Sequence, residues 1–194
     1  MGTPLRQQLR AEMSRIATNL DRRWLTAASK EICSELDYLL SDSAFDSYTH
    51  VLAWVDTHIG DVDLSRFAFS QMEHRAVYVP QQRHDHSLEF FELTEQALSQ
   101  QQSAIDAASM NLVPYPAGVA QQTIVLVPGV AFDQYGHRLG RGWASYSRLF
   151  QTSLQRALKI GVCWEFQVLP QIPSGGDPTV MNWVVHERGS IQIA

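Results

Sequence analysis

Residues 123–129, TIVLVPG, restrict the fold more than any other stretch of this chain. From Thr123 to Val127 every side chain is β-branched or apolar, so a strand here has no polar face to present to water. Such a strand is stable only with both faces covered, as an inner strand of a layered sheet is. The rest of the pattern supplies the layers. Residues 48–55 (YTHVLAWV), 76–80 (AVYVP, stopped by Pro80), 87–93 (SLEFFEL), 159–166 (KIGVCWEF) and 182–187 (NWVVHE) also read as strands. Between them lie segments with helical spacing. Leu5, Leu9, Met13, Ile16 and Leu20 share one face of a helix over 5–20. Trp24, Ala28, Ile32 and Leu36 point inward from a second over 21–40, and Leu64, Phe67, Ala68 and Met72 from a third over 61–75. A further helix is expected from about Ser145 to Leu158. The Gln- and Ser-rich residues 94–109 fit a helix or a loop, and 41–43, 111–118 and 169–178 are loops. Strands alternating with helices imply an α/β fold of three layers, a central and mostly parallel sheet flanked by helices. With no internal repeat and no linker, residues 1–194 are expected to form a single domain.

Composition narrows the class. Apolar residues are 45% and charged residues 18% of the chain, the balance of a water-soluble globular protein. No apolar run approaches the roughly 20 residues a membrane span needs. The opening MGTPLRQQLRAEM has no apolar core of a signal peptide, and its Met-Gly start lacks the Ser/Thr at the sixth residue that myristoylation requires. Cys33 and Cys163 lack zinc-site spacing and are read as reduced and buried, which fits the cytoplasm. A net charge of −5 argues against bulk electrostatic binding to nucleic acid. The expected partner is a small molecule, with no nucleic acid and no membrane, and the chain fits a monomer or a homodimer. Thirteen arginines against two lysines suit phosphate or carboxylate recognition, although codon bias gives the same ratio.

The chemistry is concentrated in VPGVAFDQYGHRLGRGWASYSRLF, residues 127–150, where a strand passes into a helix. Glycines at such a passage let backbone N–H groups approach an anion, and a helix N-terminus adds partial positive charge. Arg138 and Arg141 add charge-assisted donors in the same turn. The segment is therefore a phosphate cradle or, equally, a tight loop with solvated arginines. It is neither a Walker A loop, having no Gly-Lys-Ser/Thr, nor a dinucleotide fingerprint, having no third glycine after Gly140 and Gly142.

The same run resembles the signature of the 5-formyltetrahydrofolate cyclo-ligase (5,10-methenyltetrahydrofolate synthetase) family, close to P-G-[VL]-[AG]-F-D-x-x-G-x-R-L-G-x-G-x-G-[YF]-Y-D-R. The chain carries Pro128-Gly129-Val130-Ala131-Phe132-Asp133, Gly136, Arg138-Leu139-Gly140-Arg141-Gly142, Tyr146 and Arg148. Weaker likeness covers most of the rest. Arg6 and Arg10 match a basic pair on the family's N-terminal helix, Asp61-Val62-Asp63 an acidic turn after its first strand, Arg75-AVYV-Pro80 its second strand, and Asp177 an acid before its last strand.

The resemblance implies the family's three-layer fold and an ATP- and Mg²⁺-dependent ligase of one-carbon metabolism. It would convert 5-formyltetrahydrofolate, a reduced folate, to 5,10-methenyltetrahydrofolate through an N5-formyl phosphate-type intermediate. Carried over by residue, Arg6, Arg10, Arg138, Gly140, Arg141, Gly142 and Tyr146 would bind ATP. Val55, Asp61, Trp143 and Tyr146 would meet the folate, with Asp61 at its reacting nitrogens. Asp61, Arg141 and Arg148 would form the catalytic set, and Asp177 would ligate Mg²⁺. The chain departs from the signature at Ala144 for the third glycine, Ser145 for an aromatic, Ser147 for the aspartate, and Asp61 for a longer acid. A neutral hydroxyl is a weaker Mg²⁺ ligand than a carboxylate. The alternative is a diverged member that binds ATP, a folate or both without cyclisation, or that acts on another substrate.

Other constellations read more plainly. His84-Asp85-His86 lacks further ligands nearby and is read as a solvated loop. Asp133 and His137 flank Gly136 in the manner of an Asx turn. Ser145 and Ser147 have no His/Asp partners at nucleophile spacing, and the five tryptophans are read as core and pocket wall.

Overall fold

Strand β4 (Thr123–Pro128) lies inside a sheet, as its unbroken apolar run requires: Thr123 through Val127 are all buried. The computed structural model describes residues 4–55, 59–84, 87–94, 113–141, 145–174 and 178–193. Around β4 are β1 (His50–Leu52), β2 (Ala76–Gln82), β3 (Leu88–Glu92), β7 (Leu158–Val162), β9 (Trp183–His186) and β10 (Gly189–Gln192). Among the described residues they form one seven-stranded sheet in the order β10-β9-β7-β4-β1-β2-β3. The inner pairings are parallel and the two edge pairings, β2–β3 and β9–β10, antiparallel.

Alternation along β4 divides the core. Ile124 and Leu126 pack on the side of α2 (Arg22–Leu40) and α3 (Ser65–Gln71), with Ile32, Leu36, Leu64 and Phe67. Val125 and Val127 pack on the other side, with Phe150 of α4 (Ser145–Gln151) and Leu154 beyond it. The expected three layers are present. Asp21 caps α2, its carboxylate accepting from the backbone N–H of Arg23 and Trp24.

The first helix, α1 (Pro4–Thr18), differs from its sequence pattern. Of the apolar row expected to face in, Leu9, Met13, Ile16 and Leu20 are half-buried, Leu9 and Leu20 packing on buried clusters, while Leu5 is 59% exposed and the buried side chains of the helix are Arg6 and Ala17. The helix is turned so that Arg6, Arg10 and Ala17 share the inner side. Apolar periodicity does not register such a face, because buried arginines count as polar. Burial is tolerable because the guanidinium groups find carbonyl acceptors.

Pro80 does not stop β2, which continues to Gln82. Leu93 N donates to Val77 O and Arg83 N to Ser87 O, so the odd-numbered residues exchange bonds with β3. Pro80, opposite Phe90, points its nitrogen to the other side, beyond the last β1 pairing at Tyr78. A missing N–H there costs no ladder bond. Helix α4 is shorter than expected because Thr152 Oγ1 bonds back to Arg148 O at 2.9 Å and Leu154 N to Leu149 O, closing the helix in a turn. After Val162 the 159–166 strand gives way to a 3₁₀ turn, Glu165–Gln167.

A second sheet was not foreseen. Strands β5 (Ala131–Asp133), β6 (Arg138–Leu139) and β8 (Val168–Leu169) pair in the order β6-β5-β8. Runs of two or three residues carry no readable periodicity. Leu9 of α1 packs on this sheet with Ala131, Leu139 and Ile172.

Both cysteines are buried and free. Burial raises the Cys33 thiol to about 11 and pushes the Cys163 thiol up as well. No helix among the described residues is long and apolar enough to cross a membrane.

Candidate functional site

The chain leaves β1 and β4 in opposite directions, β1 toward β2 and β4 toward β7. In open parallel sheets, ligands bind at the carboxyl ends of strands where the order reverses in this way. The segments leaving those ends are 53–61 and 128–141, which carry Val55, Asp61, Arg138, Gly140 and Arg141.

Helix α1 is fastened to this crevice through its arginines. Arg6, 5% exposed, donates from Nη1 to Pro173 O at 2.5 Å and from Nη2 to Arg138 O at 3.4 Å. One turn later, Arg10 Nε donates to Gly140 O at 2.7 Å. Arg138 is equally buried and donates from Nη1 to Pro128 O at 2.8 Å, with its guanidinium 5.5 Å from the centroid of the Tyr146 ring. Arg138 lies close against Gly140: a Cβ there would stand 3.1 Å from both Nη atoms of Arg138. Three guanidinium groups from two distant parts of the chain thus meet on one hairpin. Guanidinium forks match phosphate oxygens two at a time.

The hairpin is held by Asp133, which is 0% exposed. Its Oδ1 accepts from Tyr135 N at 3.0 Å and His137 N at 2.9 Å, and its Oδ2 accepts from Ile172 N at 2.9 Å. The His137 ring Nδ1 lies 3.1 Å from Oδ2. The expected Asx turn is present, and the same carboxylate ties the 170–173 loop, with its Pro173 acceptor, to the hairpin.

Opposite the hairpin stands the 59–61 turn. Gly60 has φ +88°, a conformation that disfavours any Cβ, and an added Cβ would lie 2.5 Å from Ala17 O of α1. Gly60 O accepts from Trp164 Nε1 at 2.8 Å, so the turn is wedged between α1 and the buried Trp164. Gly60→Ala is expected to cost about 3 kcal/mol, from positive φ and overpacking together. A urea midpoint within error of wild type would contradict this account of the wedge. The wedge aims Asp61 across the crevice, where Arg141 Nη2 donates to its Oδ1. Under this pair is a hollow of about 30 Å³ lined by Ser14, Thr18, Gly129 and Gln167 among others.

Not every expected residue joins the cluster. Val55 is half-buried at the end of the segment leaving β1, its carbonyl accepting from Ser65 Oγ at 3.5 Å. Tyr146 is half-buried on α4 beside Phe150, and burial pushes its phenol up. Arg148 is exposed on α4, and among the described residues no bond joins its guanidinium to the cluster. Gly142, Trp143, Ala144, Asp177, Asp85 and His86 lie outside the described residues, as does the Ser145 side chain. Sequence reasoning missed Gln167, which donates from Nε2 to Val130 O at 2.9 Å and accepts from Trp164 N at 2.9 Å, fixing the β4–β5 turn. It also missed the carbonyls of Pro128, Gly140 and Pro173 that hold the arginines, since backbone acceptors leave no mark on a sequence.

Arg6, Arg10 and Arg138 donate to backbone carbonyls and Arg141 to Asp61. Among the described residues no three His, Cys, Asp or Glu side chains gather into a metal site. Asp61 lines the hollow with Arg141.

The model of the 5-formyltetrahydrofolate cyclo-ligase family matches residues 3–187. No curated protein matches the chain by sequence. The solution structure of Aquifex aeolicus 5,10-methenyltetrahydrofolate synthetase is 22% identical with a TM-score of 0.74, covering 97% of this chain and 93% of the other. A 5,10-methenyltetrahydrofolate synthetase from Mycoplasma pneumoniae is 16% identical with a TM-score of 0.70, covering 94% of this chain and 98% of the other. At these identities the likeness establishes a common fold.

Proposed function

The chain belongs to the 5-formyltetrahydrofolate cyclo-ligase family, and from that premise we propose that it converts 5-formyltetrahydrofolate to 5,10-methenyltetrahydrofolate with ATP and Mg²⁺. The observation that carries this reading is the meeting of Arg6 and Arg10 with the 138–141 turn, opposite Asp61. In the reaction the N5-formyl oxygen bonds to the γ-phosphorus and ADP leaves. N10 then bonds to the formyl carbon, its proton is lost, and phosphate departs with the former formyl oxygen. The protein's part is positioning and charge stabilisation.

Arg6, Arg10, Arg138 and Arg141 take the phosphate oxygens, and Gly140 and Gly142 let the backbone approach them. Val55, Trp143 and Tyr146 line the folate side, and Asp61 faces the reacting nitrogens. Arg148 completes the charged set on α4, and Asp177 holds the Mg²⁺ that accompanies ATP. The Asp61–Arg141 pair links the two halves before ligands enter. Each partner is then redirected, Arg141 to phosphate and Asp61 to the pterin. Two buried free cysteines and a reduced-folate substrate suit the cytoplasm.

The test follows absorbance of methenyltetrahydrofolate formed from 5-formyltetrahydrofolate. A gain that requires both ATP and Mg²⁺ is expected. Ser147, half-buried where the family signature carries an aspartate, favours a second reading: binding without cyclisation. No absorbance gain at high protein concentration, with thermal stabilisation by both ligands, would select that reading. In either case Ser147→Asp is expected to lower the Mg²⁺ concentration needed for half-maximal ATP binding about tenfold. An unchanged Mg²⁺ requirement would remove this position from the metal site.

A further inference from the structure

The carbonyls on either side of Asp61 are both held by buried indoles. Trp164 Nε1 donates to Gly60 O at 2.8 Å, and Trp54 Nε1 donates to Val62 O at 3.2 Å. Both rings lie in the core, Trp164 1% and Trp54 7% exposed. An indole N–H is a donor only, and a buried one needs an acceptor, so each bond is costly to break. One residue further along, Asp63 N donates to Ser29 Oγ of α2 at 3.1 Å. The main chain is thus pinned immediately before and immediately after the one carboxylate that faces Arg141 across the crevice.

The two pins belong to different parts of the frame. Trp54 stands in the segment leaving β1, and Trp164 opens the 3₁₀ turn after β7. Trp164 N donates to Gln167 Oε1 at 2.9 Å, and Gln167 Nε2 donates to Val130 O at 2.9 Å. Through Gln167, therefore, the 59–61 turn is referred to the β4–β5 turn, from which the arginine hairpin departs. Packing does not account for this use of the donors, since phenylalanine fills a core and asks for no acceptor. An aspartate has two side-chain torsions, so where its carboxylate stands follows closely from its backbone.

Resting on the reading above, we propose that Trp54 and Trp164 are positioning residues for the reaction: their indole N–H groups clamp the two carbonyls flanking Asp61 and so set where its carboxylate meets the reacting nitrogens. Both act through Asp61. With either bond gone, a buried carbonyl loses its donor, the turn moves to satisfy it, and Asp61 moves with the turn. The arginine hairpin keeps its own bonds, so the nucleotide side is left as it was.

The test measures turnover and calorimetric affinities in Trp54→Phe and Trp164→Phe, which keep an aromatic ring and remove the donor. The kcat for cyclisation is expected to fall about tenfold in each variant and about a hundredfold in the double variant, as a misplacement on the order of 1 Å brings. Affinity for ATP with Mg²⁺ is expected to stay within about twofold of wild type. Trp24→Phe is the control. The Trp24 ring lies 5.1 Å from that of Trp164, yet among the described residues no bond joins its indole to either carbonyl, and kcat is expected to be unchanged. Where the smaller ring unfolds the protein, benzothienylalanine at position 54 or 164 keeps the bicyclic shape with sulfur in place of the N–H, and the same losses are expected. Unchanged kcat in both Phe variants, equal losses of kcat and ATP affinity, or wild-type turnover with benzothienylalanine overturns the positioning role. Cyclisation by wild type alongside that result leaves the catalytic reading standing. If wild type binds 5-formyltetrahydrofolate without cyclising it, its affinity for that folate is the readout, with the same losses expected. If wild type neither binds nor cyclises the folate, both fall together.

Discussion

Arg138→Ala is expected to lower kcat/KM for ATP-dependent cyclisation by about 10³-fold, the lower end of what an arginine at a transferred phosphoryl group is worth. The guanidinium has two jobs. It donates to Pro128 O at the end of β4, and it lies against the face of Gly140 where α1 is fastened through Arg10. Removing it takes a phosphate ligand away and leaves a carbonyl without that donor, at a structural cost of about 1–3 kcal/mol. Arg138→Lys separates the two. Lysine restores the charge without the planar fork, so stability is expected to recover more fully than rate. Equal recovery of both, or a loss of rate no greater than the loss of folded protein explains, would reduce Arg138 to a structural residue.

Asp133→Ala is expected to be the most destabilising substitution in the site, on the order of 4 kcal/mol. Three backbone N–H groups, from Tyr135, His137 and Ile172, lose their acceptor. The Ile172 bond is buried and the other two are part-buried, and a buried donor left unsatisfied costs about 1–3 kcal/mol. Asp133→Asn keeps one acceptor oxygen and is expected to cost about half as much. Guanidinium unfolding midpoints measure both, with the slope unchanged if the native state alone is affected. The loss should reach function, because the 170–173 loop that supplies the Arg6 acceptor is tied down by the same carboxylate. Wild-type stability in Asp133→Ala would mean that water satisfies these donors and that the hairpin holds itself.

These two residues show what the sequence could and could not reveal. Asp133 was visible as a turn residue, since an aspartate three places before a glycine is a local signal. That it also holds a loop 39 residues away was not visible, because long-range bonds to backbone N–H leave no local pattern. The layered sheet was readable from TIVLVPG and the strands around it, where burial on both faces fixes composition. Helix α1 was legible as a helix, and only partly legible in its orientation. Leu9 and Met13 are half-buried as their row suggests, but the inward turn of Arg6 and Arg10, which leaves Leu5 exposed, rests on acceptors at Pro173, Arg138 and Gly140 that no local pattern shows. The β5–β6–β8 sheet was too short to read. The glycine-arginine motif located the crevice from one side, but nothing local in 123–150 shows that α1 closes it from the other.

The central claim is that α1 and the 138–141 turn surround one triphosphate. The direct measurement is a calorimetric titration of wild type and Arg10→Ala with ATP and Mg²⁺. Arg10 lies 130 residues from its Gly140 acceptor and belongs to no glycine motif, so its effect depends on the fold alone. The account predicts saturable ATP binding by wild type and an affinity at least about tenfold lower in Arg10→Ala, with the unliganded melting temperature little changed. Identical affinities in the two proteins, or no ATP binding by wild type, would contradict it.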